Sequence, residues 1–208
     1  MDGAWVDRLE RRLGFLAVPG LPGLLTAMTA AAALLASSKP EFVAALALDP
    51  AALMRGQIWR VATFLIVPPE SKLLWMLLWL AMIFAVLSAL EAAWGEFKLT
   101  VFLAIAVMMS TGAALLTGGT GDNGPVHLAN FLAFARLAPD REVLVMFVLP
   151  VKLRWIAAIA AALTAMQLLG GDNASRARLL AGLSAYLLYF GPGHWQDLKL
   201  AWRRRGLR

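Results

Sequence analysis

The chain has 208 residues, 61% of them hydrophobic and 15% charged, with a formal net charge of +6 and no cysteine; its mean hydropathy is +0.71. A soluble domain of this length cannot hide that much apolar surface, so the composition excludes an ordinary globular enzyme and places most of the chain against lipid or other spanning helices. The lack of thiols excludes disulfides and thiolate metal sites. The basic residues gather at the ends of apolar segments, which suits membrane topology better than nucleic-acid binding.

Residues 1–18 read as an interfacial amphipathic segment and not as a cleaved signal. Asp2, Asp7 and Glu10 are mixed with Arg8, Arg11 and Arg12, while Trp5, Val6, Leu9, Leu13 and Leu16 fall on one helical face. The breaker Pro19-Gly20-Leu21-Pro22-Gly23 then hands over to a membrane domain covering 19–191. Six spans are expected in it, making an all-α integral membrane bundle. The first, 21–37, is rich in alanine. A long loop, 38–71, carries Phe42, Val43, Leu46, Leu48 and Leu53, and that mixture suits a loop lying partly in the membrane interface.

The second and third spans are expected over 72–93 and 98–116, followed by a glycine-rich turn, 117–125. The fourth, 126–137, is far shorter than the about twenty residues a bilayer core needs. It must sit inside the protein, tilt little or thin the membrane. The fifth runs over 151–169 after an apolar approach, 143–149, and the sixth over 179–190. Small residues recur in the last two spans, among them Ala157, Ala161, Ala181, Gly182 and Ser184, and they permit close helix approach.

Six spans put both ends on one side, and thirteen Lys and Arg fall on that side against six on the other. The asymmetry expects both termini in the cytoplasm. The Ala- and Arg-rich composition points to a bacterial inner membrane. The basic tail, 192–208, interleaves Trp195, Leu198, Leu200 and Trp202 with Lys199 and Arg203 to Arg205, as a surface-lying lipid anchor would.

Three stretches carry a resemblance to a known family. They are Gly56-Gln57-Ile58-Trp59-Arg60-Val61-Ala62-Thr63, then Leu90-Glu91-Ala92-Ala93-Trp94-Gly95, then Ala138 to Trp155 with its Pro-x-Arg turn and Pro150-Val151-Lys152. In order and spacing they resemble the rhomboid superfamily of intramembrane proteins, over most of 40–190. The resemblance implies a six-helix rhomboid-like bundle with an interfacial first loop. It also implies a structural pair, Arg60 with Glu91, pinning that loop to the core. Either charge alone is costly near lipid, and a bidentate pair satisfies both.

The family's chemistry needs a serine in Gly-x-Ser-Gly, a histidine on the sixth span and oxyanion donors on the second. Here Gly121-Asp122-Asn123-Gly124 fills the serine slot with Asn123, residues 176–190 hold no histidine, and 73–79 hold no His or Asn. A swapped Ser184–His127 dyad is the only weak catalytic candidate. His127 with Asn130 is expected to form a polar patch at the mouth of the former cavity. Two separated histidines, His127 and His194, give no metal site, and no cofactor is expected.

The expected function is therefore that of a derlin-like pseudoprotease: a protein that binds transmembrane segments of client proteins, in membrane-protein quality control or trafficking. The alternative is an active rhomboid-type serine protease with a non-standard dyad. A transporter is the weakest reading, since inverted repeats are not evident. The expected partners are client helices and the lipid bilayer, with no nucleic acid.

Overall fold

The computed structural model describes residues 4–69, 72–145 and 149–205. The chain is predominantly helical, and four helices are long and apolar enough to cross a membrane. A short helix α1 (Ala4–Leu13) leads, through a 3-10 turn, to the first of these, α2 (Leu21–Ser38). Pro22 occupies its first turn, where a missing N–H costs nothing. Val6 of α1 is buried in the core, so α1 is docked on the bundle. The side chain of Trp5, placed on the same face by the sequence, lies outside the described residues.

The expected interfacial loop contains three short helices: α3 (Pro40–Leu46), α4 (Pro50–Met54) and α5 (Arg60–Thr63). Asp49 caps α4, its carboxylate accepting from the Ala51 and Ala52 amides at 2.9 and 3.3 Å. Leu48, Phe64, Leu65 and Ile66 are buried, whereas Met54, Ile58 and Trp59 are exposed. The loop therefore has an inner apolar face on the bundle and an outer apolar face that is exposed.

The next two apolar helices are α6 (Leu73–Trp94) and α7 (Glu96–Thr117). Gly95 alone joins them, at φ +85°, a conformation that side chains with a Cβ rarely adopt. That explains the glycine ending the Leu-Glu-x-x-x-Gly run. Next comes α8 (Gly124–Leu137), which packs against α6, α7 and the two helices that follow. It buries Val126, Ala129, Asn130, Ala133 and Phe134, so its shortness is tolerated because protein surrounds it.

The apolar approach to the fifth segment is a strand. β1 (Glu142–Val145) pairs antiparallel with β2 (Leu149–Lys152), Val143 opposite Val151. Residues 146–148 of the expected apolar approach lie outside the described residues. The fourth apolar helix, α9 (Leu153–Gly170), buries only Leu153 and Thr164 and turns Trp155, Ile159, Leu163 and Met166 outward. The last helix, α10 (Asn173–Arg205), corrects the expected break at residue 191: Gly191-Pro192-Gly193 lies inside one continuous helix. The side chains of Leu198 and of Arg203 to Arg205 lie outside the described residues.

The centre of the molecule lies where α6, α7, α8 and α10 meet, and Leu87, Leu90, Leu99, Phe102, Val126 and Ala185 fill it. Gly182 of α10 faces Pro125 so closely that a Cβ at 182 would collide with the proline ring. That contact sets the spacing of α8 and α10.

Candidate functional site

The Trp59-Arg60-x-x-Thr63 stretch has a clear local role, and it differs from the expected one. Arg60 Nη1 donates to the Ala44 and Ala47 carbonyls, both at 2.7 Å, and Nε donates to Gln57 Oε1 at 2.7 Å. Thr63 Oγ1 donates to the Leu46 carbonyl at 3.0 Å. These carbonyls belong to the end of α3, where a helix leaves its last acceptors unmatched. Arg60 and Thr63, one turn apart, together cap α3, and the positive charge suits the negative end of the helix. The expected Arg60–Glu91 pair is not formed. Glu91 Oε1 is sealed from solvent with no hydrogen-bond partner, while Arg60 turns Nη1 and Nε to the α3 carbonyls and to Gln57.

Asn123 stands immediately before α8. Its amide donates to the carbonyls of Phe64, Leu65 and Val67 at 3.0, 3.3 and 2.9 Å. Beside it, the Gly121 amide donates to the Leu48 carbonyl at 2.7 Å, and Leu48 packs where a Cβ of Gly121 would stand. Asp122 Oδ1 accepts from the Gly124 amide at 3.0 Å, turning the chain into α8. The slot expected to hold a nucleophile is thus a clamp. It fastens the first loop to the start of α8 through three backbone carbonyls of the loop's last turn.

His127 lies one turn into α8. Its ring meets Trp79 of α6 edge to face, with centroids 5.0 Å apart and planes at 81°. Both ring nitrogens are sealed and make no hydrogen bond. Asn130 is buried, with Oδ1 also unpartnered. Asn130 is buried and His127 is half-buried with both ring nitrogens sealed, so the two do not form the exposed polar patch expected at a cavity mouth. Ser110 and Thr111 of α7 and Ser184 of α10 carry further sealed, unpartnered hydroxyls.

The Ser184–His127 dyad is not assembled: the Ser184 hydroxyl and both His127 ring nitrogens are sealed without a hydrogen-bond partner. Helices α8 and α10 both run inward from the same end, with Gly182 level with Pro125, so two residues on, Ser184 and His127 share a level. Two residues are also about 200° of helix rotation. From a contact at 125 and 182, both side chains therefore turn away from each other, His127 toward Trp79 of α6. His194 is engaged elsewhere on α10, its Nε2 2.7 Å from the Tyr186 hydroxyl. Among the described residues no three His, Asp or Glu side chains converge.

Next to the clamp lies an open cleft of about 450 Å³, lined by Thr120, Asp122, Pro125, Gln167, Arg178 and Leu179. It separates the start of α8 from the far end of α9. Arg178 Nη1 donates to the Thr120 carbonyl at 3.2 Å across it. Sequence reading missed this cleft, because its lining comes from two turns and three helices with no shared motif. No protein-family model matches this chain, and no curated protein or solved structure shows significant similarity to it.

Proposed function

We propose that this chain is a catalytically inactive, rhomboid-like membrane protein that binds transmembrane helices of client proteins, for quality control or trafficking. On this reading α8 and the first half of α10 complete six spans, in a bacterial inner membrane with both termini in the cytoplasm. The observation that carries it is Asn123. The residue in the nucleophile slot is an amide with its donors committed to three backbone carbonyls. Such a group cannot attack a carbonyl, and no base is bonded to it.

Binding has a physical basis in α9. It is the least buried of the apolar helices, with 11% of its apolar window inside the protein. Trp155, Ile159, Leu163 and Met166 present a stripe on which a second helix can pack. At the end of that stripe the Gln167–Arg178 cleft offers polar partners to a client helix carrying polar residues, which are costly in lipid alone.

The test joins a cleavage assay to crosslinking. The full chain in liposomes is offered a generic transmembrane rhomboid substrate and a fluorophosphonate probe. A photocrosslinker is placed at Ile159 or Met166, with Met108 on α7 as control. Expected are no cleavage, no labelling, and capture from α9 of membrane proteins with polar transmembrane segments. Cleavage lost in Ser184→Ala or His127→Ala would establish an active dyad and sink the reading. Equal capture from Met108 would remove α9 as the client face.

A further inference from the structure

We propose that α10 folds over at Gly191-Pro192-Gly193, and that residues 194–205 then lie along the bilayer surface with Trp195 and Trp202 in the phospholipid headgroup layer. The proposal rests on the reading of the first half of α10 as a span, and not on client binding. Phe190 is the last described residue of α10 to be buried, and every described side chain from His194 to Trp202 is exposed, Trp195 to 59% and Trp202 to 77%. The helix outruns its last buried residue by about 22 Å, from Phe190 to Arg205. The segment between is built to give way. Pro192 has no amide proton for the Leu188 carbonyl, and its ring crowds that carbonyl. Neither Gly191 nor Gly193 takes a positive φ, and an added Cβ would meet open space at both. No contact therefore calls for glycine there, while glycine weakens a helix interior. A side-chain hydrogen bond spans the weak point: His194 Nε2 lies 2.7 Å from the Tyr186 hydroxyl. It clasps the continuous helix found in the structure.

Spacing identifies what draws the tail over. Trp195 and Trp202 are seven residues apart, so they share one helical face and stand about 10 Å apart along the axis. A headgroup layer is about 5–8 Å thick. A tail that continues along the bundle axis holds one tryptophan in that layer, whereas a tail lying flat holds both. Lys199 stands with them, its Nζ 5.2 Å from the centre of the Trp195 ring, so its stem and the indole share that face. Between 194 and 205 four basic residues stand against one acidic residue, a balance suited to a phosphate-rich surface. The bilayer favours the folded-over form because only that form engages both rings.

Distances between paired nitroxides test this, since the chain has no native cysteine. Labels at Leu169→Cys, near the end of α9, and Leu200→Cys, both exposed positions, are placed in the full chain and read in phosphatidylglycerol nanodiscs. The natural hinge should give a separation about 10 Å shorter than Gly191→Ala, Pro192→Ala and Gly193→Ala together, which stiffen α10. Equal separations would overturn the hinge. Trp195→Gln with Trp202→Gln, both exposed, should restore the long separation. A separation that stays short in that variant would place the tail on protein and overturn the bilayer as its partner. A single label at Leu187→Cys, exposed on the first half of α10, should collide with oxygen as a lipid-facing residue does. A water-exposed Leu187 would sink the span reading and this proposal with it, whereas a lipid-facing Leu187 with equal separations would sink the hinge alone.

Discussion

Asn123 donates to the Val67 carbonyl at 2.9 Å, across 56 positions of sequence. Through this bond and those to Phe64 and Leu65, one amide group holds the end of the first loop against the start of α8. The relationship gives Asn123 a structural duty that a nucleophile could not perform.

Replacing Asn123 with serine should therefore not create a hydrolase. The shorter hydroxyl has one proton, and 176–190 offer no histidine to activate it. The Leu65 and Val67 carbonyls lose the Asn123 amide and the Phe64 carbonyl keeps only the Val67 amide, so Asn123→Ser or Asn123→Ala should cost about 1–3 kcal/mol. The check is thermal unfolding in detergent together with fluorophosphonate labelling. Labelling of the serine variant would refute the assignment of the site as inert.

Arg60 and Glu91 should behave as independent residues. Arg60→Lys keeps the charge but loses the fork that reaches Ala44, Ala47 and Gln57 together, and should destabilise by about 1–3 kcal/mol. Glu91→Gln should be close to neutral. A double-mutant cycle in detergent should return a coupling within about 0.5 kcal/mol of zero. A coupling of several times that size would restore the ion pair expected from sequence.

The Gly182–Pro125 contact makes a steric prediction. A methyl group at 182 must push α8 and α10 apart, since the proline ring cannot fold away. Gly182→Ala should destabilise by about 1–3 kcal/mol, and Gly182→Val by more. Gly112, whose added Cβ would meet open space, is the control: there Gly→Ala should be neutral or stabilising by about 0.5–1 kcal/mol.

Docking of α1 should fail in acid. The Lys98 ammonium, hydrogen-bonded to Asp7, holds that carboxyl below the ordinary carboxylate range. A folded value lowered below the unfolded one adds stability that is present above the unfolded value. That stability is lost as pH falls through the folded value, so it should disappear below about pH 4. Hydrogen exchange across 4–16 should accelerate on acidification or in high salt while α7 stays protected, and Asp7→Asn should remove the pH response. A response unchanged in Asp7→Asn would place the acid sensor elsewhere.

Much of the helical layout was legible because lipid imposes a simple rule. Long apolar stretches must be helical, so the boundaries of α2, α6, α7 and α9 follow from hydropathy and from local signals such as Pro22 and Gly95. The hairpin at 142–152 escaped that reading, since a short apolar run with proline carries no decisive period. So did the continuity of α10, because Pro192 signals a break that the helix tolerates.

By itself, the sequence determined that this is a helical chain with apolar helices long enough to cross a membrane, and where those helices lie. Only the tertiary structure decided the partners. Arg60 chose the carbonyls of α3 over Glu91, His127 turned to Trp79 and not to Ser184, and Asn123 clamped a loop more than fifty positions away. The physical reason is range. Hydropathy and capping act within a few residues and leave a periodic trace. A hydrogen bond between distant segments depends on which helix faces rotate toward each other, and that is settled by packing such as Gly182 on Pro125.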